Sequence, residues 1–352
     1  MNIFFVEIGI LNTAIVIAVV STLLAIAVLR PFALSVNLTD SPNKRKKHKG
    51  LIPLIGGLGM FFGFLISVII TPIDLIQIKF FLLSSFIIVI VGALDDHHDM
   101  AVRYRFFFQI MAALIISLLA GINIETLGNI FSPREELILN SGSLIVTIVA
   151  IIVAINALNM SDGIHGLAGC TSLCTFLSLA YFSHISGNQE GLIIASLMCA
   201  VILPFLFYNL NIGNLSEKRI FMGDAGSMFI GLVISWLLIN LSQGEDRIFA
   251  PVTALWLFAF PIIEISTTTF RRISSKKSIF MPDLNHAHHI LIRLGFGQKS
   301  TLIILILFSL FLSVIGILGE LYRADERVMF LGFILIFLMY IFSCKLALRY
   351  LK

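Results

Sequence analysis

Val91-Gly-Ala-Leu-Asp-Asp-His-His-Asp-Met100 is the segment on which the reading of the chain turns. Here an apolar run long enough to cross a membrane stops at three carboxylates. Asp95 and Asp99 fall one helical turn apart if the helix continues, so they would share a face. Two such carboxylates can hold a hard cation: magnesium takes oxygen ligands, keeps several waters and is shared between one or two protein carboxylates and a phosphate. A lone acid at this position would read as a solvated helix end. Three of them, in a chain with 20 Asp and Glu in 352 residues, point to a site, because ionisable groups at or within a membrane are expensive to keep.

The composition agrees with a membrane setting. The chain is 58% hydrophobic and 12% charged, with a mean hydropathy of +1.01. Apolar runs able to span a hydrocarbon core of about 30 Å as helices recur along its length. They fall near 3–29, 51–70, 77–94, 104–121, 142–158, 166–183, 190–208, 225–241, 249–269, 300–319 and 327–348. The expectation is an all-α integral membrane protein of about eleven transmembrane helices, a single polytopic domain over 1–352. The first run has no basic residue before it and no small-residue cleavage site, so it reads as an anchor and not as a removable signal. Cys170, Cys174, Cys199 and Cys344 all lie in apolar runs without metal-ligand spacing and read as packing residues.

An odd number of spans puts the termini on opposite faces. All of the 24 Lys and Arg except Lys79, Arg134, Arg247, Arg323 and Arg327 then fall on one face, in segments 30–50, 95–105, 157–165, 209–224, 270–299 and the C-terminus. Basic loops stay inside. That face is therefore expected to be cytoplasmic, with the N-terminus outside and the C-terminus inside. Every histidine but His184 lies on the same face, as do Asp95, Asp96, Asp99, Asp162, Asp224 and Asp283. A transporter would instead carry polar groups toward the midplane on broken helices.

Four further segments line up there. Five Lys and Arg within Lys44–Lys49 form a cationic patch that could meet an anionic leaflet or, through Lys47 and His48, an anionic substrate. Gly56 and Gly57 follow, inside a span, where glycine permits close helix approach or a backbone open to ligand. Asn156, Asn159 and Asp162 are spaced by three, so on a helix they share a face leading into a glycine-rich break, and they could orient the polar groups of a phosphorylated sugar. Phe221-Met-Gly-Asp-Ala-Gly-Ser227 puts Asp224 and backbone N–H groups at a helix start, which suits a metal-bound diphosphate. Arg272 and the cluster His286, His288 and His289 complete the set. Neither HExxH nor a Cys/His framework accompanies these histidines, so contact with phosphate fits them better than zinc.

The motifs at 41–57, 91–99, 156–169, 221–227 and 283–289, in this order, resemble the polyprenyl-phosphate N-acetylhexosamine-1-phosphate transferase family over nearly the whole chain. The resemblance implies transfer of GlcNAc-1-phosphate from UDP-GlcNAc to undecaprenyl phosphate with release of UMP, the first membrane step of a cell-surface polysaccharide pathway. It implies Asp95, Asp96 and Asp162 as catalytic acids, Asp99 as a third acid near the pair, and Mg2+ (or Mn2+) held by Asp224 with Asp96. It further implies that Phe221 stacks on uracil and that Asn156, Asn159, His165, Arg272, His286, His288, His289, Lys47 and His48 bind substrate. Membrane lipids are expected partners, nucleic acid is not, and a homodimer is compatible with the family. Two positions depart from its pattern. His165 stands where an Asp is usual, and Leu284 where an Arg is frequent. A neutral imidazole can still accept a hydrogen bond from the uracil N–H through one ring nitrogen.

Both reactants are anions, so the barrier is one of charge and alignment. Asp95 could deprotonate or orient the lipid phosphate, and a covalent sugar-phosphate on an Asp is the competing scheme. A transferase for UDP-MurNAc-pentapeptide would share the acids and topology but is expected to carry a different histidine segment. A prenyl-diphosphate enzyme of the DDxxD kind has no need of eleven spans. A transporter would release no UMP.

Overall fold

Long apolar runs with no water to satisfy their peptide groups close their own hydrogen bonds as helices, and helices make up nearly all of the regular structure. The computed structural model describes residues 2–41, 50–71, 75–213, 218–278 and 285–351. Lys47, His48, Asp283 and Leu284, all singled out from the sequence, lie outside these described residues. In chain order the helices are α1 (Asn2–Ser35), α2 (Gly56–Ile70), α3 (Leu75–His98), α4 (Val102–Leu114, extended by a π-helical turn over Ile115–Leu119), α5 (Ser143–Ser161), α6 (Leu167–Ser186) and α7 (Gln189–Asn209). There follow α8 (Gly223–Ser242), α9 (Pro251–Leu257), α10 (Ala259–Ser274), α11 (Ala287–Arg293), α12 (Gln298–Leu321) and α13 (Glu326–Tyr350). A single two-stranded ribbon pairs β1 (Thr39–Asp40) antiparallel with β2 (Ile52–Pro53), Thr39 opposite Pro53.

Among the described residues eight helices are long and apolar enough to cross a membrane, nine if α9 and α10 count as one bent span. The two other predicted runs also form helices. α2 has 15 residues, and α6 is interrupted by Ser and Thr that hydrogen-bond to backbone carbonyls one turn back, such as Thr171 to Leu167 (2.8 Å) and Ser172 to Ala168 (2.6 Å). The run 249–269 does not continue straight. It breaks at Phe258 and turns by 83°. Pro261 sits in the first turn of α10, where a missing N–H is tolerated.

The helix at the centre is α8, buried almost from end to end. Trp236 stacks on Phe81 of α3 with ring centres 4.5 Å apart, and Phe229 meets Phe61 of α2 edge-on at 5.4 Å. The first turn of α8 is approached even more closely. A Cβ on Gly57 of α2 would lie 2.1 Å from the backbone nitrogen of Gly226, and one on Gly92 of α3 would lie 2.4 Å from Cα of Ala225. Only glycine lets three backbones meet in this way, the usual device for packing helices inside a membrane. The consequence is functional: the C-terminus of α3, the N-terminus of α8 and the segment before α2 are fixed against one another to within a backbone's width.

Candidate active site

At this end of the bundle a cavity of about 770 Å³ opens. Its wall holds Asp95, Asp96, Asp99, Asn159, Asp162, His165, Phe221, Asp224 and His289, together with Thr39, Asp40 and His97. Residues picked from four separate stretches of sequence therefore share one space. A second cavity, about 530 Å³, lies at the other end of α8 beside Arg247, Glu320, Arg323 and Glu326, and contains none of the residues singled out from the sequence.

The acids are arranged, not scattered. Asp96 accepts hydrogen bonds from the backbone N–H of Asp224 (2.8 Å) and of Ala225 (3.2 Å), so both its oxygens meet the first turn of α8, where a negative charge is favoured. Gly223, at φ +72°, brings the chain so near that a Cβ there would lie 2.4 Å from Asp96 Oδ2. Asp95 is 6% exposed. It accepts from the Met100 N–H at 2.7 Å and from Arg105 Nη1 at 2.7 Å. The same Arg105 nitrogen lies 3.2 Å from Asp224 Oδ2, and Asn159 Nδ2 donates to Asp224 Oδ1 (2.7 Å) and to Ser227 Oγ (3.0 Å). Carboxylates from α3 and α8 thus converge on one point of positive charge, and α5 orients the second of them.

The carboxylate oxygens gathered here are the donor type that a divalent cation takes. Mg2+ asks for one or two carboxylates and takes its remaining oxygens from phosphate and water. Among the described residues no three His, Cys, Asp or Glu side chains gather at ligand spacing. The cation that Asp95 and Asp224 share is the Arg105 guanidinium. Asp96, expected from the sequence to hold the ion with Asp224, accepts with both oxygens from the start of α8, as Asp95 and Asp224 accept from other donors.

Asp162 follows the last residue of α5 and is open to the cavity. The protein packed around that space, and then the charge of Asp224, push its carboxyl up to about 7. His165 stacks on Phe221, ring centres 5.2 Å apart and planes at 27°. Phe221 is held by its own backbone, its N–H donating to Pro53 O (2.9 Å) and its carbonyl accepting from Gly56 (2.9 Å). The two rings make an aromatic wall opposite the acids.

Four expected residues are not in the cavity wall. Asn156 donates to Gln109 Oε1 of α4 at 2.8 Å, Arg272 is buried in the last turn of α10, and His286 and His288 lie behind His289. His288 is 3% exposed. Burial and then the neighbouring His289 and His286 hold its imidazole down at about 3, so it packs as a neutral ring. Its Nε2 is set against Gly163, where a Cβ would come within 2.0 Å. Sequence reasoning missed Arg105, Thr39 and Asp40. Arg105 carried a signal, a cation ten residues after Asp95 in a largely apolar run; the ribbon residues carried none.

The family model described as Glycosyl transferase family 4 matches residues 78–242. Over most of its length the chain is also similar to proteins named undecaprenyl-phosphate alpha-N-acetylglucosaminyl 1-phosphate transferase. It is 37% identical to the one from Yersinia pestis, covering 92% of this chain and 88% of the relative. Identity to the protein of Haemophilus influenzae is 37%, covering 96% and 94%. For Escherichia coli (strain K12) it is 35%, covering 90% and 86%.

Proposed function

Because the chain belongs to glycosyl transferase family 4, and within it to the polyprenyl-phosphate N-acetylhexosamine-1-phosphate transferases, we propose that it moves GlcNAc-1-phosphate from UDP-GlcNAc to undecaprenyl phosphate. The observation that carries this reading beyond the relatives' names is the cavity itself, in which clustered acids face the His165–Phe221 wall at one end of a bundle of membrane helices. A uracil ring suits the aromatic wall and a diphosphate suits the acids only with a cation between them. The positive-inside distribution supports an N-out, eleven-span arrangement with this cavity at the cytoplasmic face of the inner membrane, where UDP-sugars are made.

In the reaction an oxygen of the lipid phosphate attacks the β-phosphorus of UDP-GlcNAc, the bond from that phosphorus to the bridging oxygen breaks, and UMP leaves with the electron pair. Asp224, with one of the neighbouring acids Asp95 and Asp96, would hold Mg2+ or Mn2+, which would neutralise the diphosphate and the leaving phosphate. The chain's own groups prepare the rest. Asn159 and Arg105 fix the Asp224 carboxylate, and Asp96 locks α8 to α3. Asp162, whose carboxyl is raised above the usual carboxylate range, lines the same cavity and is the group we assign to take a proton from the attacking lipid phosphate. Asp95 remains ion-paired to Arg105, a role closer to orientation than to proton transfer. The product would be the first lipid-linked intermediate of a cell-surface polysaccharide.

A donor panel tests the reading. Purified protein given undecaprenyl phosphate and Mg2+ is expected to release UMP from UDP-GlcNAc at least about tenfold faster than from UDP-MurNAc-pentapeptide, a discrimination of about 1.4 kcal/mol or more. Faster release from the pentapeptide nucleotide would assign the chain to that related transferase, and uptake of a UDP-sugar into vesicles without UMP would assign it to transport.

A further inference from the structure

Glu264 lies in α10 with 4% of its surface exposed. A carboxylate taken out of water is costly unless hydrogen bonds replace those it loses, and this one has donors from three directions. His286 Nδ1 lies 3.0 Å from Oε1, the Ala287 N–H donates to the same oxygen at 3.1 Å, and Tyr340 of α13 donates its hydroxyl to Oε2. A carboxylate only accepts, so the proton of His286 sits on Nδ1 and leaves Nε2 as the ring's acceptor whenever the ring is neutral. The contact continues toward the cavity. The His286 and His288 rings lie parallel, 4° apart in plane with centres 5.7 Å apart, and His288 packs on His289 at 4.2 Å. His288 abuts Gly163, next to Asp162, and His289 borders the cavity.

We propose that Glu264, tethered by Tyr340, is the positioning residue of the histidine segment: it sets the ring and tautomer of His286, and through the packed rings seats His288 against Gly163 and His289 in the cavity wall. Glu264 touches no substrate in this arrangement. It acts as the buried carboxylates behind ligand histidines do, by fixing which nitrogen carries the proton and where the ring points. The inference deepens the proposed function and rests on it for the identity of the donor, UDP-GlcNAc.

Two variants test it, Glu264→Gln, which keeps the shape and removes the charge, and Tyr340→Phe, which removes one tether at nearly constant volume. A misplaced wall residue weakens ground-state binding first. Loss of a charged hydrogen bond worth about 1.5–3 kcal/mol predicts a rise in KM for UDP-GlcNAc of about tenfold or more in Glu264→Gln, a smaller rise in Tyr340→Phe, and a fall in kcat of under about threefold in both. A readout that needs no turnover is the imidazole spectrum of 15N-histidine-labelled protein. It should contain one hydrogen-bonded Nδ1–H signal that disappears in His286→Asn and is shifted or lost in Glu264→Gln. Wild-type KM and kcat in Glu264→Gln, equal losses of kcat, affinity and thermal stability together, or a His286 ring without a proton on Nδ1 would each overturn the proposal. If the wild-type protein released no UMP while the Nδ1–H signal behaved as expected, the activity reading would fall and the tether would stand.

Discussion

Asp224→Asn is expected to lower UMP release on the order of a hundredfold or more while leaving the yield of folded, monodisperse protein nearly unchanged. The reason for the first effect is charge. Asp224 is ion-paired to Arg105 together with Asp95, and on the proposed reading it also holds a divalent ion, which an amide would hold less well. The reason for the second is that the contacts tying Asp224 into the fold survive. Its backbone N–H still meets Asp96 Oδ1, and an Asn carbonyl still accepts from Asn159. The residual rate should also need more Mg2+ to saturate. Near-normal turnover of the variant at limiting Mg2+ would remove Asp224 from the metal site.

Gly57→Ala is expected to act in the opposite order, on the fold before the chemistry. The added methyl would lie 2.1 Å from Gly226 N and 2.3 Å from Gly226 Cα, backbone atoms that cannot swing aside. Separating α2 from α8 to admit it should cost about 1–3 kcal/mol or more. It should also carry Asp224 away from Asp95, so the protein that does fold should turn over slowly. Gly142→Ala is the control, since nothing lies within 4 Å of a Cβ there. The measurement is the melting temperature and monodisperse yield in detergent, followed by UMP release per folded molecule. Gly57→Ala matching Gly142→Ala in all three would contradict the packing described for the first turn of α8.

The helices were legible because membrane spans announce themselves by length and apolarity, and each of the eleven predicted runs contains helix. Their ends were less so. α3 runs on to His98, past the two acids at which its apolar run stops, because polar residues are as much at home in a helix that has reached water; Asp99, at φ +52°, then ends it. The bend between α9 and α10 has no clear mark in sequence, because Pro261 is a weak one in a chain whose Pro31 and Pro204 sit inside unbroken helices. For the site, residue type and spacing picked out Asp95, Asp162 and Asp224, which the fold brings to one cavity, since carboxylates in an apolar chain are conspicuous; Phe221 and His165 entered through the family resemblance. Spacing alone could not divide the roles of Asp95 and Asp96, adjacent residues that point to different partners. Nor could it show that Asn156 turns to Gln109, or that His288 is a buried neutral ring, because both depend on which helix packs alongside. Glu264 has no neighbour in sequence that ties it to the histidines. Only the fold brings it to His286.

The most direct test of the central claim follows the phosphorus atoms. UDP-GlcNAc labelled separately at the α- and β-phosphorus is incubated with the purified protein, undecaprenyl phosphate and Mg2+, and lipid and aqueous products are separated. Attack at the β-phosphorus predicts β-label in the lipid fraction, α-label in UMP, and loss of both transfers in Asp224→Asn. Release of doubly labelled UDP with unlabelled sugar on the lipid would mean ordinary glycosyl transfer, and would contradict the account.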